Sequence, residues 1–339
     1  MLKKPVEKYN YICVSGYGWT GSSACIDILK EFEGFGALKG EFRIAKDPYG
    51  LTDLEESLVH KWDFIRHDIA IRDFLSYCKV LSRETSLFRK AGKNFSNKLN
   101  VDFMLESKLY IDSLTDMMYL GDTFVHRYNV PAYKNLLMKI RSKIGKNNAK
   151  PMYWSRPCES DFIRETKKYI NNLFCNYMHL KEINTLILDQ TIPPTNMIST
   201  SRYFEKIKVV IIDRDPRDIY VNMVRSKSLL GPELTKKDSV EKYIKWHKQL
   251  RRKSVRDNNE NGIDKYVLRL YFEDLVLNTD ESIKKIIDFL GNNAEHSKIN
   301  KYFFPSYSIK NIELWRSYQD QSVMNEIGEK LKGYCYNAR

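Results

Sequence analysis

The spacing of apolar residues changes several times along this chain. Tyr9–Ser15 is a short, nearly continuous apolar run, as expected of a strand buried on both faces. A glycine-rich turn, GYGWTG, follows, and then Ser22–Glu33 carries helical spacing. A second short strand is predicted over Ala37–Arg43. From Leu51 to Leu180 the pattern turns helical: WDFIRHDIAIRDFLSYCKVL, VDFMLESKLYIDSLTDMMY and SDFIRETKKYINNLFCNYMHL each repeat apolar residues at three- and four-residue intervals. Polar joints fall near Lys90–Asn100 and Gly145–Lys150. Strand-like runs then resume at Ile183–Asp189, Ile207–Asp213 and Asp264–Phe272. Asp215-Pro216 reads as an N-cap and first helical residue. Glu281–Gly291 is an amphipathic helix with a glycine stop, and Asn311–Leu331 also reads as helical.

Strands alternating with helices predict an α/β fold, a doubly wound parallel sheet flanked by helices. The chain is expected to form one domain over residues 1–339, with a helical insertion at 51–182. In such a sheet, ligands bind beyond the carboxyl ends of the strands.

Composition narrows the function classes. Of 339 residues, 42% are hydrophobic, with 22 Tyr and 16 Phe, which excludes a disordered chain. The excess of 56 Lys+Arg over 43 Asp+Glu, a net +13, favours anionic partners. The six cysteines show no C-x-x-C pair or zinc spacing, and Cys13 and Cys25 fall on apolar faces. The six histidines have no metal-pair spacing either, so no metal is expected. The N-terminus lacks a signal-peptide apolar core, and no run reaches the roughly 20 residues that span a bilayer. A reduced, cytoplasmic enzyme is expected, soluble or peripheral to a membrane, with no nucleic acid partner.

The turn after the first strand fits two phosphate-binding patterns. Gly16-x-Gly18-x-x-Gly21 matches a dinucleotide fingerprint, with Glu41 at the distance of its acidic residue. Gly16-x-x-x-x-Gly21-Ser22-Ser23 matches an ATP loop, but Ser22 stands where that loop needs lysine. In either reading the N–H groups of Gly21, Ser22 and Ser23 meet an anion at a helix N-terminus. Downstream, VVIIDRDPRDIYVNMVRS puts Arg214 at the tip of a strand, where a guanidinium suits bidentate phosphate binding. Arg217 and Arg225 read as solvated helix charges. The basic stretch Tyr243–Arg256 reads the same way, with an acidic acceptor or nucleic acid as the alternative.

A strand, a Gly/Ser/Thr loop, a helix and then R-D-P-R-D-x-x-x-N resembles the sulfotransferases that use 3′-phosphoadenosine 5′-phosphosulfate. YVLRLYFEDLVLNTDESIKKIIDFLG and SIKNIELWRSYQDQSVMNEIGEKLKGYCY resemble two further segments of that family. The resemblance covers residues 9–43 and about 183–335. It implies a P-loop-type α/β fold, sulfonate transfer to a hydroxyl, 3′,5′-ADP as product and no metal. Carried over residue by residue, it puts the 5′-phosphosulfate on Gly18, Trp19, Thr20, Gly21, Ser22 and Ser23. It puts the 3′-phosphate on Arg214 and Asn222, with Lys310 in a basic loop nearby. Glu41 sits where sugar-directed members carry a catalytic glutamate, which implies a saccharide acceptor. Arg43 would steady the sulfonate, and Asp189 is the alternative base. One departure stands out: Trp19 replaces the usual loop cation. Lys39, Arg43, Lys46 and Lys310 are the substitutes expected from the sequence. The competing readings are an NAD(P) oxidoreductase, a P-loop kinase relative without its lysine, and a basic nucleic-acid-binding protein.

Overall fold

The computed structural model describes residues 10–86, 91–123, 125, 128, 130–145, 149–236, 239–253, 266–291 and 294–336. Tyr9, His126, the centre of the joint near residue 147, residues 264–265 of the expected last strand and the basic stretch beyond Lys253 lie outside them. The chain divides into two compact units, one of residues 1–43 and 178–339, the other of residues 44–177.

In chain order the main elements are β1 (Asn10–Gly16), α1 (Ser22–Lys30), β2 (Phe35–Glu41), α2 (Arg66–Ser82) and α3 (Phe103–Leu114). Next come β3 (Met117–Gly121), α4 (Ala132–Lys143), β4 (Lys150–Trp154), α5 (Glu159–Leu180) and β5 (Thr185–Asp189). β6 (Ile207–Asp213), α6 (Pro216–Ser226), α7 (Val240–Leu250), β7 (Val267–Tyr271), α8 (Thr279–Leu290) and α9 (Gln321–Lys330) complete the set.

The first unit is built on a five-stranded sheet in the order β2-β5-β1-β6-β7. Every pairing is parallel. β1 sits at the centre, and Ile12, Cys13 and Val14 are all buried, which is why its sequence is continuously apolar. The chain leaves β1 towards β2 on one side and later reaches β6 on the other. β1 is therefore the switch point of the sheet, and the turn after it lies where such sheets bind ligands. Gly16, Asp189, Asp213 and Tyr271 all lie at the carboxyl ends of their strands, and Glu41 ends β2.

α1 buries Ala24, Cys25, Ile28 and Leu29 against Ile12, Val14, Val210 and Ile212. Cys13 and Cys25 are core thiols, as their apolar positions imply. α1 stops at Lys30, three residues before the expected end. The buried Glu31 carboxylate instead accepts the N–H groups of Tyr302 and Phe303, both at 2.9 Å. A second cluster joins Ile219, Tyr220 and Met223 of α6 to Tyr243 and Ile244 of α7 and to Met324 and Ile327 of α9. The tail is not one helix. Two 3₁₀ turns, Ile309–Asn311 and Leu314–Ser317, precede α9. Glu313 between them is left-handed at φ 55°, and Asp320 caps α9 through the N–H groups of Ser322 and Val323. The interruption breaks the apolar period that the sequence suggested.

The second unit is helical as the spacing implies, with Tyr110 of α3 stacked on Tyr169 of α5 at 4.6 Å. It also holds an antiparallel pair, β3 with β4. Those strands are five residues each, too short to register as an alternating pattern.

The carboxyl end of β6 carries a cluster of buried charge. Arg214, Asp215, Asp218 and Glu273 are each at most 4% exposed. Glu273 is the second residue of the short helix Phe272–Leu277 and accepts the Asp215 N–H at 2.9 Å. Burial pushes the Glu273 carboxyl up to about 7, against the pull of Arg214. The folded chain thus holds a proton that the unfolded chain has released from its ordinary 4.5. Stability from this group is complete below that value and is lost as pH rises through about 7. Glu273→Gln keeps an acceptor oxygen for Asp215 and abolishes the titration. Urea unfolding should show the variant gaining on the parent chain as pH rises from 5 towards about 7. A difference that does not change with pH would show that Glu273 is ionised throughout.

Candidate functional site

The turn after β1 is shaped by its glycines. Gly18 and Gly21 have φ of 89° and 82°, left-handed values that disfavour side chains. A Cβ at Gly21 would lie 2.3 Å from the Phe272 ring, so the helix start packs directly on that ring. At Gly18 a Cβ would meet nothing within 4 Å, so the backbone there faces open space. Gly21 is the N-cap of α1 and provides no side-chain cap. The first N–H groups of α1 are thereby left for an anion. Among the remaining loop residues, Thr20 is buried, Trp19 and Ser22 are half-buried and Ser23 is exposed. Gln190, left-handed at φ 56°, reaches Ser22 Oγ from the end of β5 at 3.5 Å.

Trp19 itself is left-handed at φ 53° and packs its ring against the α6–α7–α9 cluster. Its carbonyl is used by Arg214, whose Nη1 donates to it at 3.2 Å. Arg214 Nη2 donates to the Asn311 carbonyl and lies 3.6 Å from Asp218 Oδ2. The guanidinium stands 4.8 Å from the Phe272 ring centre, and its buried Nε has no protein partner. Burial draws Arg214 below its ordinary range, opposed by Asp218 and Glu273. Arg214 therefore ties the anion loop and the 309–311 turn to the end of β6. Lys310 is exposed within that turn, next to Asn311. Asn222 lies half-buried on α6.

Arg217 does not join this group of donors. It makes a bidentate pair with Asp215 at 2.9 and 2.6 Å and stacks on Trp315 at 3.8 Å. Arg225 is exposed in the last turn of α6.

Among the described residues of the basic stretch, Lys245, Lys248, Arg252 and Lys253 are exposed as the solvated reading implies, and Arg251 is the exception. Its side chain is only 5% exposed, and Nη2 donates to Asp213 Oδ1 at 2.5 Å. The guanidinium lies 4.4 Å from the Tyr17 ring centre, on the anion loop itself. Its Nε and Nη1 are buried without a protein partner. Arg269 of β7 also reaches the loop, donating to Tyr17 Oη at 3.5 Å. His247, one turn before Arg251, is fully buried, and burial lowers it to about 3, so it is neutral. The sequence signal for Arg251 was present but ambiguous: its position one turn after the buried pair Tyr243 and His247 places it on the inner face of α7.

On the other side of β1, Glu41 and Asp189 are register partners at the ends of β2 and β5. Glu41 Oε2 accepts from Arg43 Nη1 at 3.2 Å, with side chains 46% and 38% exposed. A pair this open is worth at most about 1 kcal/mol and is readily exchanged for a ligand. Lys39 is exposed on β2, while Lys46 belongs to the other unit. In that unit, ligand atoms of Glu55, His60 and Glu159 lie within 4.8 Å of one another. Glu55 and His60 make a hydrogen-bonded pair at 3.2 Å.

Two curated relatives match part of the chain. Sulfotransferase 2A2 of Rattus norvegicus is 32% identical over 121 residues, 32% of this chain and 39% of the relative. Sulfotransferase 2A6 of Mus musculus is 28% identical over 156 residues, 41% of this chain and 52% of the relative. The chain thus spans about half the length of these relatives, or less. Among solved structures, the sulfotransferase domain from the Synechococcus PCC 7002 olefin synthase aligns over 100% of both chains at 12% identity and a TM-score of 0.43. Retinol dehydratase in complex with androsterone and inactive cofactor PAP covers 96% of this chain and 80% of its own, at 12% identity and a TM-score of 0.32. Those two likenesses are too weak to carry weight. The family model described as "Sulfotransferase domain" matches residues 135–311, more than half of the chain and the stretch that holds β5, β6, Arg214 and β7. On that match, the protein belongs to the sulfotransferase domain family.

Proposed function

We propose that the chain transfers a sulfonate group from 3′-phosphoadenosine 5′-phosphosulfate to a hydroxyl acceptor. The observation that carries this reading is the uncapped start of α1 joined to Arg214 through the Trp19 carbonyl. It offers two anion sites on one rigid frame, as a donor with two separate phosphates requires. The unpartnered buried Nε of Arg214, and Nε and Nη1 of Arg251, fit the same demand.

In this reading the N–H groups of Gly21, Ser22 and Ser23 hold the 5′-phosphosulfate, with Gly18, Trp19 and Thr20 shaping the loop. Arg214 and Asn222 hold the 3′-phosphate, and Lys310 adds charge from the tail. Trp19 brings no cation, and Arg251 and Arg269 bring theirs to Tyr17 of the same loop. The donor supplies an activated sulfonate whose bond to the phosphate oxygen breaks as the acceptor oxygen bonds to sulfur. The fixed N–H groups and arginines favour the negative charge left on that phosphate. Glu41, or Asp189 beside it, receives the acceptor's proton, and Arg43 steadies the sulfonate. The exposed, charged pair Glu41–Arg43 supports a polar acceptor, and a saccharide hydroxyl is the one assigned here.

Calorimetry with 3′,5′-ADP, NAD and Mg-ATP tests the donor assignment. Tight binding of 3′,5′-ADP alone is expected, and a preference for NAD or Mg-ATP would sink it. Transfer of labelled sulfonate to a saccharide rather than to an apolar alcohol tests the acceptor.

Arg214→Ala should weaken 3′,5′-ADP about thirtyfold, as loss of a charged hydrogen bond worth about 2 kcal/mol implies. AMP, which lacks the 3′-phosphate, should lose less. Equal losses would mean that Arg214 acts only by holding the loop through Trp19.

Glu41→Gln should leave 3′,5′-ADP binding intact and cut turnover by roughly 10²–10⁴, the range of a lost general base. If turnover survives and Asp189→Asn abolishes it, the proton goes to Asp189 instead.

A further inference from the structure

One helix of the second unit is built unlike the others. Among the residues described, α4 has none that is buried. Tyr133, Leu136, Leu137 and Ile140, with the capping Ile144, are between 47% and 63% exposed. At about 100° per residue these five fall within an arc of about 100° on one side of the helix. The opposite side carries Asn135 and Met138, which are only half-exposed, and Asn135 Nδ2 donates to the Val130 carbonyl at 3.2 Å. The helix thus turns its apolar stripe outward, and its least exposed side is the one with Asn135 and Met138.

The charges on α4 are all of one sign. Its sequence, AYKNLLMKIRSK, contains three lysines, one arginine and no acid. On the same wheel Lys134 and Arg141 fall just beyond one edge of the stripe, and Lys139 and Lys143 just beyond the other. All four are exposed. An apolar stripe bordered by cations on both flanks matches a membrane surface: the stripe enters the acyl boundary while the long basic side chains reach the headgroups. No described helix is long and apolar enough to cross a membrane, so the helix would lie in the interface. Pairing with a second copy of the chain through this stripe would set cationic flanks against each other. An anionic partner meets no such repulsion, and the chain's net charge of +13 acts in the same direction.

We propose that α4 is a surface-lying membrane helix that docks the protein on anionic lipid. The inference is independent of the transferase reading, because it concerns residues that the proposed nucleotide site does not use.

Vesicle co-sedimentation of the full chain tests it, with phosphatidylcholine alone and with phosphatidylcholine mixed with phosphatidylserine. Binding is expected only to the mixed vesicles, and it should weaken as salt rises. Lys139→Ser with Lys143→Ser should lower it by about tenfold or more, since each cation near an anionic surface contributes on the order of a fivefold change. Leu136→Ser with Ile140→Ser should abolish it while leaving the thermal midpoint and 3′,5′-ADP binding unchanged, because both positions are exposed. The serine-for-lysine pair keeps the test intact should the apolar pair destabilise the unit. Three results would overturn the proposal. One is no binding to mixed vesicles, which leaves the stripe to a protein partner. Another is binding that neither pair of substitutions reduces. The third is light scattering that shows a dimer split by the apolar pair with vesicle binding unchanged, which would assign the stripe to self-association.

Discussion

The site end of the first unit depends on one buried guanidinium. Arg214 gives one N–H to the Trp19 carbonyl and another to the Asn311 carbonyl, while its backbone continues β6. Two segments distant in sequence are thereby fixed to one strand tip. A charge at 4% exposure is costly to bury unless it is paired and hydrogen-bonded. Asp218 at 3.6 Å supplies the counter-charge and also accepts the Trp315 N–H at 3.1 Å, which binds the second 3₁₀ turn into the same knot. The shape of the anion loop is therefore held from outside the loop. This accounts for Trp19 keeping a left-handed φ of 53° without being glycine.

The same arrangement changes the meaning of the missing loop cation. A lysine at position 19 would place its charge by a flexible stem. Here the side chain at 19 packs into the apolar cluster, and rigid guanidinium groups approach from β6, α7 and β7. Arginine retains its charge on burial far better than lysine does, which suits a cation enclosed by Tyr17, Tyr334 and Asp213. Of the sequence-based substitutes, Lys310 adjoins Asn311, to which Arg214 donates, and Lys46 belongs to the other unit. Lys39 and Arg43 belong to the β2 side of the sheet, separated from β1 by β5.

Much of this was legible in the sequence because it is local. The apolar run of β1, the glycine turn and the start of α1 adjoin one another. Asp213-Arg214 followed by Asp215-Pro216 marks a strand tip and a helix start by short-range chemistry alone. What could not be read is what depends on long-range packing. Arg251 and Arg252 are adjacent and of one type, yet one is buried on Tyr17 and the other exposed, and only the rotation of α7 separates them. The tail reads as helical because its apolar residues keep the right intervals. Glu313 breaks the helix at φ 55°, and Trp315 just beyond it donates its N–H to Asp218 in the first turn of α6. The outward stripe of α4 is illegible in the sequence for the opposite reason: its spacing is regular, but spacing does not say whether a stripe faces a core or solvent.

The two faces of the sheet edge divide the chemistry between them. On the β6 side Arg214 and Arg251 are buried and tied to Asp218 and Asp213, which in the proposed reading suits holding a ligand that is the same in every turnover. On the β2–β5 side Glu41 and Arg43 are open and exchange partners at little cost. A group that must accept a proton needs that freedom, since a carboxylate locked into a buried ion pair would be too weak a base. The division follows from the strand order. β1, at the switch point, presents its loop to both sides. The strand that carries Arg214 lies next to it on one side, and the strand that carries Asp189 lies next to it on the other. In the proposed reading, β1 alone separates the strand of Arg214 from that of Asp189, and β5 adds one more strand before Glu41.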